Sequence, residues 1–185
     1  LTLASGTYAA SVQDANGCQV DSLGIFISQP TPLNVDLMDI VNASCFDVCD
    51  GSITATISGG VGPYTYTWST SPIDSIAIIN LCDGLYDLTV TDFNGCTLDT
   101  NNNAVVEPPQ IVFVSVTTDS VNCFGGIDGI IDITALNATS YTVSNLGSGG
   151  AINTTQANGT FNGLPAGFYT IELEDVNGCS IFGDT

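Results

Sequence analysis

The sequence contains no lysine, no arginine and no histidine in 185 residues, although it carries 19 aspartate and glutamate residues. A typical soluble domain has about a quarter charged residues, with both signs present. Nucleic-acid binding draws most of its affinity from Lys and Arg groups that neutralise phosphates, and anionic membrane surfaces attract the same groups. The missing cations therefore exclude nucleic acids and anionic membranes as partners.

The same absence removes most catalytic chemistry. The chain has no imidazole base, no amine nucleophile and no guanidinium group. A pair of carboxylates can hydrolyse glycosides, but the Asp residues fall mainly at turns, where they have a local role. We therefore expect that the protein is not an enzyme.

Long apolar runs are also missing. None approaches the roughly 18–20 residues that span a bilayer, which argues against membrane insertion. No basic and then apolar start resembles a signal peptide. Since 44% of the residues are hydrophobic, the chain can still bury a core, and disorder is a poor interpretation.

One pattern occurs three times. It reads Gly-x-Tyr, a run of alternating residues, and then Asp-x-Asn-Gly-Cys, and its copies end at Cys18, Cys96 and Cys179. An earlier pattern, Cys-x4-Asp-Gly, begins at Cys45 and again at Cys123. Two patterns that recur in the same order predict a tandem array of similar modules.

Proline-bearing junctions mark the module boundaries at residues 29–32 and 107–109, because Pro ends strands and stiffens linkers. The sequence thus predicts the C-terminal part of one module, one complete module and a second, nearly complete module. We call these the first module (1–30), the middle module (31–108) and the last module (109–185).

Within each module the hydrophobic period is two. Ile53, Ala55 and Ile57 alternate with polar residues, and Tyr169 and Ile171 begin a similar alternation, which predicts strands with one buried face. The Asp-x-Asn-Gly steps predict hairpin turns. The Tyr of Gly-x-Tyr suits a tyrosine corner, so we predict an all-β fold of tandem immunoglobulin-like β-sandwich modules.

The cysteines predict disulfide staples. Cys45 and Cys96 occupy the same places in the middle module as Cys123 and Cys179 in the last, so we predict that each pair closes its own module. Cys18 is equivalent to Cys96, and we expect its partner upstream.

The remaining cysteines, Cys49 and Cys82, correspond to Ile127 and Pro165 in the last module. The middle module has both cysteines and the last module has neither. Bonded cysteines would be gained or lost together, so we predict a Cys49–Cys82 bond. Buried free thiols and a metal site are the alternatives, but zinc requires ligands clustered at short spacing. Disulfides require an oxidising compartment, so we expect an extracellular protein.

The ordered motifs of the middle module resemble the SprB repeat. The first motif is Cys45, followed after four residues by Asp-Gly-Ser-Ile. The second is the aromatic run that ends at Trp68, and the third is the segment from Gly-x-Tyr to Asp-x-Asn-Gly-Cys that ends at Cys96. The last module departs from the pattern, because its residues 136–143 replace the aromatic run.

SprB repeats occur in very large surface adhesins of gliding Bacteroidota. The resemblance implies export by the type IX secretion system, attachment at the outer membrane and a role in gliding motility or attachment. It implies adjacent modules of the same chain as partners, and surface polysaccharide or other surface proteins as further ones.

An adhesin repeat of this kind requires no cofactor, but a Ca²⁺ site is one hypothesis. A Cys49–Cys82 bond would draw Asp50 and Asp83 close, with Asp47 nearby, and Ca²⁺ favours such oxygen clusters. Solvated turn residues screened by salt are the alternative.

Modification is a second hypothesis. Asp-Ser-apolar tripeptides at Ser22, Ser75 and Ser120 resemble the O-glycosylation motif of Bacteroidota. The aromatic residues Tyr64, Tyr66 and Trp68 could form a sugar platform, but a sandwich core explains them more simply.

The sequence therefore predicts a structural stalk segment of a long extracellular adhesin or filament. A calcium-dependent carbohydrate- or surface-binding module and a self-assembling fibre subunit are the alternatives.

Overall fold

The computed structural model describes residues 2–70, 74–147 and 153–184. Over these residues it contains fifteen β-strands and no helix. All the strand pairs whose register is resolved are antiparallel. The predicted all-β class is confirmed, and none of the described segments is a helix that could cross a membrane.

The first module is seen as one hairpin. Strands β1 (Gly6–Gln13) and β2 (Gln19–Ile27) form a two-stranded sheet. The register shifts between Tyr8 and Ala10, and the Asp-x-Asn-Gly step makes the turn, as predicted.

The middle module has two three-stranded sheets. One has the order β3-β4-β6 and the other the order β5-β7-β8. The strands are β3 (Asn34–Val41), β4 (Gly51–Ser58), β5 (Thr65–Trp68), β6 (Ala77–Leu81), β7 (Gly84–Thr91) and β8 (Thr97–Val105).

The last module has a three-stranded sheet, β13-β10-β9, and a four-stranded sheet, β12-β11-β14-β15. The strands are β9 (Val112–Asp119), β10 (Gly129–Leu136), β11 (Ser140–Asn145), β12 (Asn153–Gln156), β13 (Thr160–Leu164), β14 (Tyr169–Glu174) and β15 (Ser180–Asp184). Apart from the added β12, this order repeats that of the middle module. Seven strands in two antiparallel sheets are typical of an immunoglobulin-like sandwich.

Both sheets of the last module contribute to one core. Ile131, Ile133 and Phe161 come from the three-stranded sheet, and Val143 and Ile171 come from the other. These side chains are at most 4% exposed. Burial of this apolar surface holds the two sheets together.

Burial follows the predicted period of two. Strands β4 and β10 have the same burial pattern, in which Ile53 and Ala55 are buried like Ile131 and Ile133. Neighbouring positions point to the opposite face of the sheet, because successive side chains of a strand alternate.

The chain forms two compact units. Unit one comprises Leu1–Asp39, Thr54–Ala77 and Tyr86–Asn103, and unit two comprises Ile40–Ile53, Ile78–Leu85 and Ala104–Thr185. The buried residues Ala55, Trp68, Leu88 and Val90 lie in unit one, whereas unit two contains the core of the last module.

The tyrosines that lead the hairpin strands form tyrosine corners. The hydroxyl of Tyr169 donates to the carbonyl of Pro165 at 2.7 Å. The hydroxyl of Tyr8 donates in the same way to the carbonyl of Ala4, also at 2.7 Å. In both cases the acceptor lies four residues upstream, as the predicted corner requires.

Candidate functional site

The Asp-x-Asn-Gly-Cys turn holds its cysteine in a fixed place. Asp175 Oδ1 accepts hydrogen bonds from the N–H groups of Asn177 at 2.8 Å and of Cys179 at 2.9 Å. The Asp175 N–H donates to the Cys179 carbonyl at 3.0 Å. Gly178 has φ +85°, a conformation that glycine adopts without strain. The carboxylate therefore organises the turn, and the cysteine opens the next strand.

All three copies of this turn have the same hydrogen bonds. Asp14 bonds the N–H groups of Asn16 and Cys18, and Asp92 bonds those of Asn94 and Cys96, at distances of 2.8–2.9 Å. We call these three structures the hairpin turns. Each presents its cysteine in the same local geometry.

Asp92 has one further contact, because its Oδ2 also accepts the Val61 N–H at 3.0 Å. The side chain is only 5% exposed. Hydrogen bonds from Cys96 above all, and also from Val61 and Asn94, hold the pKa of the Asp92 carboxyl below its ordinary value.

The Cys-x4-Asp-Gly segment forms a second recurring structure, the cysteine loop. In the middle module Asp50 Oδ1 accepts the Ser44 N–H across the loop at 2.8 Å. The Val48 N–H approaches the Cys45 carbonyl at 3.3 Å, and Asp47 has φ +58°. The hydroxyl and N–H of Ser44 lower the pKa of the Asp50 carboxyl.

The glycine that follows Asp50 is required by close packing rather than by its backbone angle. A Cβ at Gly51 would lie 2.6 Å from Val105 Cγ1 and 3.0 Å from the Leu81 carbonyl oxygen. A Cβ at Gly129 would lie 2.7 Å from the Leu164 carbonyl oxygen. Since Leu81 and Leu164 are equivalent, the Asp-Gly pair has one structural role in both modules.

The loop at Cys123 has the same conformation as the loop at Cys45. Asp128 Oδ1 accepts the Asn122 N–H at 3.1 Å, and the Gly126 N–H donates to the Cys123 carbonyl at 2.8 Å. Gly125 has φ +77°, at the position equivalent to Asp47. The side chain and N–H of Asn122 lower the pKa of the Asp128 carboxyl.

Two disulfides are present among the described residues. Cys49 is bonded to Cys82, the pair that the comparison of modules predicts. Cys45 is bonded to Cys179, with Cα atoms 5.7 Å apart. This second bond joins the cysteine loop of the middle module to the hairpin turn of the last, so we call it the intermodule bridge.

The intermodule bridge corrects two predicted pairings. The Cys45–Cys96 and Cys123–Cys179 bonds are wrong, and Cys96 and Cys123 are free and exposed. The 5.7 Å between the Cα atoms of Cys45 and Cys179 lies within the usual range for disulfides, about 4.4–6.8 Å. Alignment of repeats shows which positions are equivalent, but not whether a bond stays in one module. Cys18 is also free and exposed, and its upstream partner stays a prediction.

Contacts of the linker accompany the intermodule bridge. Glu107 Oε2 accepts the Asp47 N–H at 2.7 Å, and Asn42 Oδ1 accepts the Val106 N–H at 3.1 Å. The Ala43 N–H donates to the Val106 carbonyl at 3.0 Å. The chain is thus fixed to the base of the cysteine loop just before it enters the last module.

A partly apolar cavity of about 270 Å³ lies at the bridge. Phe46 and Val48 of the cysteine loop line it, together with Pro109, Ile111 and Ile181. Phe46 is 42% exposed and Val48 is 40% exposed. The cysteine loop therefore contacts the last module through apolar side chains as well as through sulfur.

Glu107, Asn42 and the bridge itself were missed by sequence reasoning. The spacing of the cysteines permits pairing within one module or across two, so it contains no signal that separates them. The only available hint was the Glu-Pro-Pro junction, which indicates a stiff linker.

Comparison with known families supports the resemblance for part of the middle module. Residues 38–72 match the SprB repeat. This segment includes the cysteine loop and the strands from within β3 to β5, so the predicted resemblance is confirmed over that range. No curated protein matches the chain.

The SprB repeat indicates a repeat region of a surface adhesin and an extracellular location. It is a repeat of a structural surface protein family and not of an enzyme family. Such a repeat implies neighbouring repeats in the same chain, which agrees with the intermodule bridge.

The aromatic run of the middle module lies largely in its interior. Trp68 is 3% exposed, and its Nε1 donates to the Ser75 carbonyl at 2.9 Å. Tyr64 and Tyr66 are half-buried, and the Tyr64 hydroxyl donates to the Gly59 carbonyl at 2.6 Å. In the last module Val143 takes the place of Trp68, since both pair with equivalent positions of the neighbouring strand.

The predicted calcium ligands are not brought together. Among the described residues no group of three Asp, Glu, Cys or His side chains could hold a metal ion. Asp50 instead accepts hydrogen bonds from Ser44, and Asp47 contributes its N–H to Glu107. Asp83 therefore does not complete a site with Asp47 and Asp50.

The three candidate glycosylation residues differ in exposure. Ser22 lies on β2 and Ser120 follows β9, and both are exposed. Ser75 is half-buried, and its Oγ accepts the Ala77 N–H at 3.2 Å. Their modification stays a prediction.

A cavity of about 300 Å³ lies in the last module beside Ser120. Asp119, Phe168 and Tyr169 are among the residues that line it. It contains one carboxylate, so it lacks the pair that glycoside hydrolysis requires.

Proposed function

We propose that the chain is a structural stalk segment of a long cell-surface adhesin or filament, with a role in gliding or attachment. The observation that carries this proposal is the Cys45–Cys179 bond, which joins two successive repeats. A protein whose repeats only display separate binding sites gains little from such a bond, whereas a stalk that bears load gains stiffness.

The linker is the weak point of any array of modules, because a single peptide segment permits hinge motion between its neighbours. Here the linker residues Val106 and Glu107 are hydrogen-bonded to the segment 42–47. The intermodule bridge closes a covalent loop around that linker. Bending at the linker would therefore strain the bridge and break these hydrogen bonds.

Composition supports the same role. A formal charge of −19 without any cation makes different chains repel one another, which favours solubility and separation. The absence of Lys and Arg also leaves no cleavage site for trypsin-like proteases. Both properties suit a long segment exposed outside the cell, exported through the type IX system and attached at the outer membrane.

Small-angle scattering of the chain tests the stalk proposal. We expect that the Cys45→Ser/Cys179→Ser double variant gives a broader distribution of interatomic distances and a changed maximum dimension. The matched control is Cys49→Ser/Cys82→Ser, which also removes one disulfide but leaves the intermodule bridge. Equal distributions for the wild type and the first variant would refute stiffening by the bridge.

Imaging of the full-length protein from the cell surface tests the architecture. We expect a thin, beaded thread whose local curvature increases after reduction. Compact particles, or specific capture on a glycan array by this segment, would favour the binding-module alternative.

A further inference from the structure

The cysteine loop of the last module and the hairpin turns of the first and middle modules each carry a cysteine that forms no disulfide. We call that loop the unused loop. Cys123, Cys96 and Cys18 are the free cysteines of the described chain, and all three are exposed. Each belongs to one of the two recurring structures from which the intermodule bridge is built.

The unused loop is already in the bonded conformation. Its bond from the N–H of Asn122 to Asp128 matches the bond from Ser44 to Asp50. Its positive φ lies at Gly125, two residues after the cysteine, just as Asp47 follows Cys45 by two. Little backbone rearrangement is needed before Cys123 could bond.

The unused loop also carries an uncovered apolar side chain. Phe124 follows Cys123 as Phe46 follows Cys45, and Phe124 is fully exposed whereas Phe46 is 42% exposed. Phe46 lines the cavity at the bridge together with residues of the last module. An equivalent hairpin turn on the Cys123 loop would cover Phe124 and remove this apolar surface from water.

We propose that the bridge is a repeating device, in which the loop cysteine of each repeat bonds the hairpin cysteine of the repeat that follows in the same chain. Under this rule the partner of Cys123 is the Asp-x-Asn-Gly-Cys turn of a following repeat. Cys96 and Cys18 bond the loop cysteines of repeats that precede theirs. Cys45 is the one loop cysteine of this sequence whose following repeat contributes its hairpin cysteine, Cys179, to the same sequence. These two cysteines are bonded.

The rule accounts for all three free cysteines with one statement. Under the rule, three cysteines have no bonding partner within this sequence: Cys18, Cys96 and Cys123. These are the three free cysteines of the described residues. Pairing within modules would have left only Cys18 without a counterpart. This inference rests on the proposed stalk function and extends it from one bridge to a ladder of bridges.

Formation of each bridge is an oxidation and needs an acceptor of two electrons. With oxidised glutathione, one cysteine thiolate attacks the glutathione disulfide and releases a first reduced glutathione. The second cysteine thiolate then attacks the mixed disulfide and releases another. The protein loses two thiol protons and two electrons, and both appear in the two glutathione thiols.

The test is a chain extended after residue 185 by a second copy of residues 103–185. The first residues of the copy, which end β8 in the middle module, extend β15 in the new position. The rest of the copy supplies a linker and one further repeat. The extended chain is equilibrated with oxidised and reduced glutathione, digested with pepsin at low pH and mapped by mass spectrometry without reduction. We expect Cys123 to be bonded to the added counterpart of Cys179.

Alkylation counts the free thiols in the same sample. The added copy brings two cysteines to the three that are free, so the count is five without a new bridge and three with it. In a Cys123→Ser variant we expect the counterpart of Cys179 to be alkylated while the Cys45–Cys179 bond persists. That variant is the matched control for folding.

Three results would overturn the ladder. They are a free Cys123, a Cys123–Cys179 bond within the last module, and a bond of Cys123 that forms only between separate chains and increases with concentration. If Cys45–Cys179 is still found beside a Cys123 that is free or bonded to another chain, the ladder fails alone and the stalk proposal stands. If Cys45–Cys179 is itself absent, the stalk proposal loses its basis as well.

Discussion

Cys45 and Cys179 are 134 positions apart in the sequence, and a disulfide holds their Cα atoms 5.7 Å apart. One comes from the cysteine loop of the middle module, within the segment that matches the SprB repeat, and the other comes from a hairpin turn of the next module. The bond therefore makes covalent neighbours of two segments that the repeat pattern assigns to different modules.

Loss of the intermodule bridge should destabilise the protein. In the chain-entropy model a loop of this length contributes about 5 kcal/mol, and measured losses are typically about 2–4 kcal/mol. Cys45→Ser, Cys179→Ser and the double variant should lower the melting temperature by the same amount, because all three lose one bond. Cys96→Ser is the control and should change little. Additive losses in the double variant would contradict a direct bond between the two residues.

The Asp carboxylate of a hairpin turn should contribute most to the free energy of unfolding where it is buried. Asp175→Ala leaves the N–H groups of Asn177 and Cys179 without their acceptor, which should cost about 1–3 kcal/mol. Asp14→Ala removes the same two bonds at an exposed turn, where water replaces them, so its cost should be smaller. Denaturant unfolding of both variants measures the difference, and equal losses would argue against the role of burial.

Acid should weaken the fold through the depressed carboxyl groups. The pKa of Asp92 is lowered from 3.8, chiefly by its hydrogen bond from Cys96. A lowered native pKa contributes stability that is present above the unfolded value and is lost as the pH falls through the native value. Melting temperatures should therefore fall below about pH 4.

Asp92→Asn removes the charge and keeps one acceptor oxygen for Asn94 and Cys96, while the Val61 N–H loses its acceptor Oδ2, so the variant should be less stable at neutral pH. Its melting temperature should depend less on pH below about 4 than that of the wild type. Asp39→Asn, at an exposed position of β3, is the matched control. The interpretation fails if both variants follow the pH dependence of the wild type.

A methyl group at Gly51 should not fit. It would lie 2.6 Å from Val105 Cγ1 and 3.0 Å from the Leu81 carbonyl oxygen, and such overpacking costs about 1–3 kcal/mol. Gly129→Ala should behave alike, because its added Cβ meets the Leu164 carbonyl oxygen at 2.7 Å. Thr54→Ser, at an exposed position of the same strand as Gly51, is the control. Calorimetry that finds no loss in either glycine variant would refute the packing argument.

Glycosylation, if the protein carries it, should follow exposure. Ser22 and Ser120 are exposed, whereas the Ser75 hydroxyl accepts a hydrogen bond from Ala77 and is half-buried. Mass spectrometry of protein from the native source should find added mass on peptides of the first two before the third. Modification of Ser75 alone would contradict this order.

Local chemistry explains why much of this fold could be predicted. The alternation in β4 and β10 gives the buried face directly, because side chains of a strand point to opposite faces in turn. The hairpin turns follow from Asp and Gly at fixed offsets, since both the carboxylate bonds and the positive φ act within five residues. The corner of Tyr169 is equally local, with its acceptor four residues upstream.

The candidate site was predicted only in its parts. The importance of Cys45, Cys179 and Asp50 follows from the repeated motifs, and so does the Cys49–Cys82 pair. Among the described residues Asp47, Asp50 and Asp83 do not form a group that could hold a metal ion, and the Asp50 carboxylate accepts a hydrogen bond from Ser44. Sequence proximity of carboxylates says nothing about which way each group points.

The sequence by itself determined the alternating strands and the two recurring structures that present cysteines, because each depends on interactions between residues close in the chain. Only the tertiary structure decided which cysteines bond. Equivalent repeats offer equivalent partners, so pairing within a module and pairing across modules satisfy the same motifs. The choice depends on where the chain places the Cys45 loop after folding, and the structure places Cys179 there rather than Cys96.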